Sequence, residues 1–244
     1  MDARTTAQRL AQPINTLGAR SMLDPVTAAR CVEDGLPANP LASYVQGRLG
    51  VMGDIDVDAA VNSLLFFDRD YAVGLWNEDS DLSKSDSGAV YAAISAERGT
   101  HYLEGFDDAA RLSELLERVA DSADDTFAPL FAGWRDVTRP DDPASRAYQM
   151  VIVVRELRGD LHMAACRNLG TDPLAMVLAG SGEGTARMHG YTDLDHERAS
   201  GAMLATAKEA TDDLDARNYE FLTDDERAEL VTLVDAAVVH AVDR

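Results

Sequence analysis

At 244 residues the chain is long enough to bury a sizeable core, as one domain or as two small ones packed together. Its hydrophobic fraction of 46% is that of a globular protein, no apolar run approaches the roughly 18 residues of a membrane span, and the polar start MDARTTAQRLAQ has no secretory apolar core, so the chain reads as cytoplasmic. The formal charge of −21, from 22 basic and 43 acidic residues, repels phosphate backbones and makes nucleic acid an unfavoured partner.

Only two of the basic residues are lysines, Lys84 and Lys208. This Asp-rich, Lys-poor composition fits a high-salt cytoplasm and a GC-rich coding source equally well. The two cysteines, Cys31 and Cys166, form no CxxC pair, which argues against a disulfide framework and a structural zinc site.

In chain order, Leu10, Ile14 and Leu17 predict a first helix over 5–20, with a kink at Pro13. Asp24-Pro25 is a helix start, and Gly35 the matching stop. After a Pro37–Pro40 loop come helices over 41–52 and 56–67, with an apolar continuation over 71–76. The polar stretch 77–87 reads as an exposed loop, 89–97 as a short helix and 106–123 as a clearly amphipathic one. A short apolar element over 126–134 and the loop Arg139–Pro143 lead into a long helix over 144–169, with an irregularity expected at Gly159. Further helices are expected over 174–179, 195–215 and 224–242, and Gly180–Gly184 reads as a turn. No repeat and no alternation of strands with helices is visible, so the fold class is mainly α, a helical bundle. A division into residues 1–125 and 126–244 is expected, with one continuous domain as the alternative.

The long helix organises the rest. At about 100° per residue, Val151, Arg155, Arg158, His162, Cys166 and Leu169 share roughly one third of its circumference, so three ionisable groups sit on a face that should be buried. Such groups must be paired, shifted in pKa or turned to a polar cavity. They are either a candidate site or a structural ion pair between helices. Tyr44, Gly47, Arg48 and Gly50 form a second compact group whose arginine is suited to an anion, and Asp212-Asp213 could supply a carboxylate to Arg155 or His162.

Competing motifs are weaker. Gly180-Ser-Gly-Glu-Gly184 lacks phosphate-loop spacing and follows a helix rather than a strand. His189 and His196 have no third ligand nearby, so no metal is assigned. Cys166 lies one turn from His162, as a thiolate–imidazole pair would require, but a small buried thiol on the core face explains it better. Neither GxSxG nor HExxH occurs.

Arg139-Pro-Asp-Asp-Pro-Ala-Ser-Arg146, followed by Arg155-Glu-Leu-Arg-Gly-Asp-Leu-His-Met-Ala-Ala165, resembles the SalK-type conserved proteins common in actinobacteria. Tyr44-Val-Gln-Gly-Arg48 with Met52-Gly53, and Glu209-Ala-Thr-Asp212, extend the resemblance over nearly the whole chain. It implies an all-helical fold with a winged-helix-like C-terminal part and no settled activity. Where that family carries Glu-Pro-x-His, this chain has Gln12-Pro-Ile-Asn15, which removes an acid and a histidine. The span from His189 to Thr211 is short for a winged helix-turn-helix and is not basic, so that part is expected to be degenerate.

The sequence thus predicts a pocket between the organising helix and 44–50 for a small polar or anionic molecule. Arg155 and Arg48 would clamp it, His162 would donate a hydrogen bond or shuttle a proton, Arg158 and Asp160 would orient His162, and Tyr44, Gln12 and Asn15 would line the wall. An enzyme or carrier of specialised metabolism would fit, but no reaction and no cofactor is assigned. The alternative is a degenerate transcription regulator or a protein-interaction module of helix-turn-helix descent. A third reading is a structural or interaction protein, a homodimer through the first or last helix.

Overall fold

The computed structural model describes residues 1–242. The described residues form α-helices and two single-turn 3-10 helices, and no strand occurs among them. In order the helices are α1 (Ala3–Gly18), α2 (Pro25–Glu33), α3 (Pro40–Gly50), α4 (Val57–Asn62), α5 (Arg69–Asn77), α6 (Lys84–Leu103), α7 (Ala109–Ser122), α8 (Pro129–Asp136), α9 (Pro143–Asn168), α10 (Pro173–Gly180), α11 (Gly182–Met188), α12 (Gly201–Ala216) and α13 (Asp224–Ala241). Among the described residues no helix is long and apolar enough to cross a membrane.

The abundance of aspartate has a local use. Asp2, Asp24, Asp56, Asp68, Asp142 and Asp172 each accept a hydrogen bond from a backbone N–H of the helix they precede, satisfying donors that the helix itself cannot. Behind Asp24, Asp142 and Asp172 a proline fills the first helical position, where its missing N–H costs nothing.

α9 is the central strut and packs against α1, α6, α7, α8 and α12. Every residue from Ala147 to Val154 is buried, so this stretch of the helix is covered on all sides and has no polar face. That is why a β-branched run is helical here: its neighbours are helices on every side rather than strands. The helix runs unbroken through Gly159, and α1 likewise continues through Pro13. The main hydrophobic cluster takes side chains from Ala7 to Ala241, on both sides of the 125/126 division, while Cys166, Met176 and Ala207, and Val177, Leu178 and Ala186, form two satellites around α10–α12.

Four boundaries differ from the expected ones for tertiary reasons. α4 stops at Asn62 because Phe66 and Phe67 turn away to stack on His162 and His189, with ring centroids 5.5 and 4.2 Å apart. α6 is twenty residues long rather than a short helix, because Ser83 caps it and Ser87 and Gly88 of its polar first turns are buried. Gly182, at φ +84°, makes the turn after α10, and α11 follows directly where only a turn was expected. Residues 189–200 stay irregular, held to α10 by Ala199 N to Ala175 O and by the Arg198 guanidinium on Leu178 O. With no strand among the described residues, the C-terminal part has helices but no β-wing.

α3 and α6 approach closely through Gly50 and Gly88. A Cβ on Gly50 would lie 2.1 Å from Lys84 O, and one on Gly88 would lie 2.2 Å from the Gly50 carbonyl carbon. Both obstacles are backbone and cannot rotate away. Gly88→Ala is therefore expected to cost at least about 3 kcal/mol. Gly74→Ala, in α5 with nothing within 4 Å, should instead stabilise by roughly 0.5–1 kcal/mol. Urea unfolding of the two variants checks this, and equal effects would show that the glycine contact is not what sets the α3–α6 distance.

Candidate functional site

Glu156, 2% exposed, lies near the middle of α9. Arg48 of α3 grips it, with Nη2 donating to Oε2 at 2.6 Å and Nε 3.2 Å from both oxygens. Arg155, one residue earlier on α9, donates from Nη1 to Oε1 at 2.6 Å. Burial alone would raise the Glu156 pKa, but Arg48 and Arg155 outweigh it and hold the carboxyl below its ordinary value. The Arg48 guanidinium is held charged in turn by Glu156, against its own burial. Trp134 Nε1 donates to Arg48 O at 3.2 Å and fixes the end of α3 from behind.

A second ion cluster follows one turn along. Arg158 donates to Asp212 Oδ1 at 2.6 Å and to Asp215 Oδ2 at 2.9 Å, both on α12. Lys208 reaches the other oxygen of Asp212 at 2.7 Å. Burial works against the Asp212 charge, but Lys208 and Arg158 keep that carboxyl below its ordinary value, whereas deeper burial raises Asp215. Asp213 turns away to pair with Arg4 at 3.0 Å. The Asp212-Asp213 carboxylates therefore serve Arg158, Lys208 and Arg4, not Arg155 or His162.

His162 Nδ1 is 2.9 Å from Thr211 Oγ1, whose single hydrogen is directed to Ala207 O at 2.7 Å. Thr211 can then only accept from the imidazole, so the proton sits on Nδ1 and the Nε2 lone pair faces Cys166 Sγ at 3.7 Å. Burial, with Arg158 nearby, lowers the His162 pKa, and burial raises that of Cys166. Both are neutral at pH 7, so this is a thiol donating to an imidazole rather than a thiolate–imidazolium nucleophile. Phe66 covers one face of the His162 ring.

Between α1, α9 and α12 these groups line a cleft of about 400 Å³. Gln12, Asn15, Arg48, Arg155, Arg158 and His162 all border it, together with Gln8, Lys208 and Thr211. Asn15 Oδ1 accepts from Arg155 Nε at 3.2 Å, and Gln12 Nε2 donates to Thr16 Oγ1 at 3.1 Å. Two expected members are elsewhere. Tyr44 lies behind Arg48, its ring 5.8 Å from the guanidinium carbon and edge-on to Tyr91. Asp160 projects to another side of α9, where its Oδ2 accepts the N–H groups of Leu130 at 2.9 Å and Phe131 at 3.0 Å at the start of α8. It does not orient His162.

The sequence reading missed Glu156, Lys208 and Thr211. Glu156 carried a usable signal: it follows Ile152 and Val153 at i−4 and i−3, so an acid stood on an apolar flank of the helix. Elsewhere, His189 Nδ1 bonds Phe66 O at 3.0 Å and His196 Nε2 bonds Asp172 Oδ1 at 3.0 Å. Among the described residues no group of three or more His, Cys, Asp or Glu is placed to hold a metal ion.

Residues 7–205 match the model of a helix-turn-helix family. The chain belongs to that helix-turn-helix family. No curated protein and no solved structure matches it. The span shared with the family takes in α1 from Ala7, α3 and all of α9, and it ends within α12 before Lys208, Thr211 and Asp212. Within it, α10 and α11 form a literal helix–turn–helix across Ser181, and the exposed side chains of α11 include Glu183, Arg187 and Met188.

Asp160 yields a pH test. Burial, with Glu156 adding to it, raises this carboxyl from 3.8 to about 6, against the two N–H bonds and Arg48. A raised folded pKa means a contribution fully present below the unfolded value and lost as pH climbs through about 6. Relative to Asp160→Asn, the wild type should lose roughly 3 kcal/mol between about pH 4 and about pH 7. Denaturant unfolding of both proteins across that range checks this. A difference that stays flat with pH would mean that Asp160 titrates as a solvated acid.

Proposed function

We propose that this helix-turn-helix family member is a ligand-binding protein whose cleft between α1, α9 and α12 holds a small polar or anionic molecule. The observation that carries the reading is a reversal of charge. A chain with nearly twice as many acids as bases gathers the four cations Arg48, Arg155, Arg158 and Lys208 around one cleft, beside the neutral His162. Arg155 Nη2 makes no hydrogen bond to a described residue, and Lys208 is largely exposed with a single partner, so both keep donors for a guest. Arg48 is committed to Glu156 and shapes the floor rather than clamping the ligand. With both His162 nitrogens engaged, the imidazole fixes α12 and offers its ring to the cleft, which favours binding over proton transfer.

The finer kinship to SalK-type proteins rests on the Arg139–Arg146 and Arg155–Ala165 motifs and belongs to this proposal, as do a cytoplasmic setting and a role in specialised metabolism. A regulator that reads DNA through α10 and α11 is the second reading, favoured by the family and by the α10–Ser181–α11 geometry. The overall charge of −21 and the seven-residue length of α11 weigh against it.

Inorganic phosphate, against sodium chloride at matched ionic strength, is the first probe. Wild type should show a saturable rise in Tm, about 3–6 °C at ten times Kd, and Arg155→Met should lose it while keeping its helical circular dichroism. No saturable shift in wild type, or an unchanged shift in Arg155→Met, refutes the anion reading. Tight, salt-sensitive binding of a duplex oligonucleotide would support the DNA-reading one.

A further inference from the structure

α9 borders a second cleft on its Asp160 side, about 570 Å³ in volume, between the end of α3, α4 and α8. Its walls are mostly apolar: Val51, Met52, Ile55, Ala132 and Met163 line it, and Phe127, 73% exposed, stands at its mouth. An aromatic ring left in water beside an apolar hollow has a face to offer a guest. At the floor is Asp160, 3% exposed. Its Oδ2 is satisfied by Leu130 and Phe131 N–H, whereas Oδ1 receives no hydrogen bond from any described residue. Asp160 itself borders this cleft, so Oδ1 is the oxygen left to meet a guest.

A carboxylate oxygen without a partner in an apolar hollow is destabilising until a donor reaches it. Arg48, whose charge acts on Asp160, is already held by Glu156. Arg167 and Asp136 also line the cleft: Arg167 donates to the carbonyl of Asn62, and Asp136 adds a second acid. The strongly negative chain draws cations toward the opening.

We propose that this cleft is a ligand site for a small apolar or aromatic molecule carrying a protonated amine, whose ammonium pairs with Asp160 Oδ1 while its hydrocarbon part packs on Met52, Met163 and Phe127. The site faces away from the Arg155–His162 cleft and does not depend on it. Its charge preference is the opposite one, for a cation rather than an anion.

Three probes that share a phenylethyl group separate the outcomes: 2-phenylethylamine, its isostere 2-phenylethanol, and 3-phenylpropanoate. The Leu130 and Phe131 amides report on Asp160 directly in 1H–15N NMR titrations. The amine should bind saturably, with Kd in the millimolar range or below for a ligand of this size, and at least about tenfold tighter than the alcohol. Asp160→Asn should abolish that preference, and Ala132→Leu, which fills the cleft and spares the acid, should weaken all binding. The comparison of amine with alcohol on wild type stands even if a variant fails to fold. Equal binding of amine and alcohol, stronger binding of the carboxylate through Arg167, or no saturable shift of the two amides up to about 10 mM amine would each overturn the assignment.

Discussion

A carboxylate in the middle of a buried helix stays ionised only if cations are brought to it, and at Glu156 two arginines are. One comes from the same turn and the other from α3, more than a hundred residues away in sequence. The fork of Arg48 closes on both carboxylate oxygens, so the pair fixes the orientation of α3 as well as its distance from α9. The Gly50–Gly88 contact then sets α6 against α3, and Trp134 carries the constraint to α8 through Arg48 O. Removing Glu156 would leave the Arg48 charge bare inside the bundle, and removing Arg48 would leave Glu156 with Arg155 alone, so the ion pair is worth more as a specification of packing than as net stability.

The same helix divides its polar residues between two surroundings. Toward α1 and α12 it presents Arg155, Arg158 and His162, each matched to a partner that α1 or α12 supplies. Toward α8 it presents Asp160, which closes the start of that helix with one oxygen and leaves the other bare. Arg48 and Glu156 lie between the two and influence both: Glu156 raises Asp160, Arg48 lowers it, and the pair together anchors Arg155 at the edge of the cationic cleft. Charge in this chain is therefore sorted by face of α9, even though the overall composition is heavily acidic.

Local chemistry was legible where it acts locally. Asp-Pro starts at Asp24, Asp142 and Asp172 mark real helix beginnings, and the spacing of Leu112, Leu115, Leu116 and Val119 gives α7. The charged stripe of α9 was legible too, because a periodicity of 3.6 puts Arg155, Arg158 and His162 on one line whatever surrounds them. The partners were not. Nothing near Glu156 in sequence announces Arg48, and nothing near Arg158 announces Asp215. The end of α4 was missed for a related reason: Phe66 and Phe67 leave a helical pattern for rings about a hundred residues downstream. Asp160 was placed on the wrong side of the site because two residues beyond Arg158 is a turn of about 200°, which only the position of α8 makes meaningful.

The dependence of the fold on the Arg48–Glu156 pair is measured most directly by a double-mutant cycle with Arg48→Met and Glu156→Leu, read by denaturant unfolding. Glu156→Leu should cost about 3–5 kcal/mol, because it strands the buried Arg48, Arg48→Met should cost less, because Arg155 still holds Glu156, and the double variant should recover most of the Glu156→Leu loss. A coupling energy within about 0.5 kcal/mol of zero would contradict the account, since it would mean that the two side chains contribute through separate packing and that the arginine fork does not hold α3 to α9.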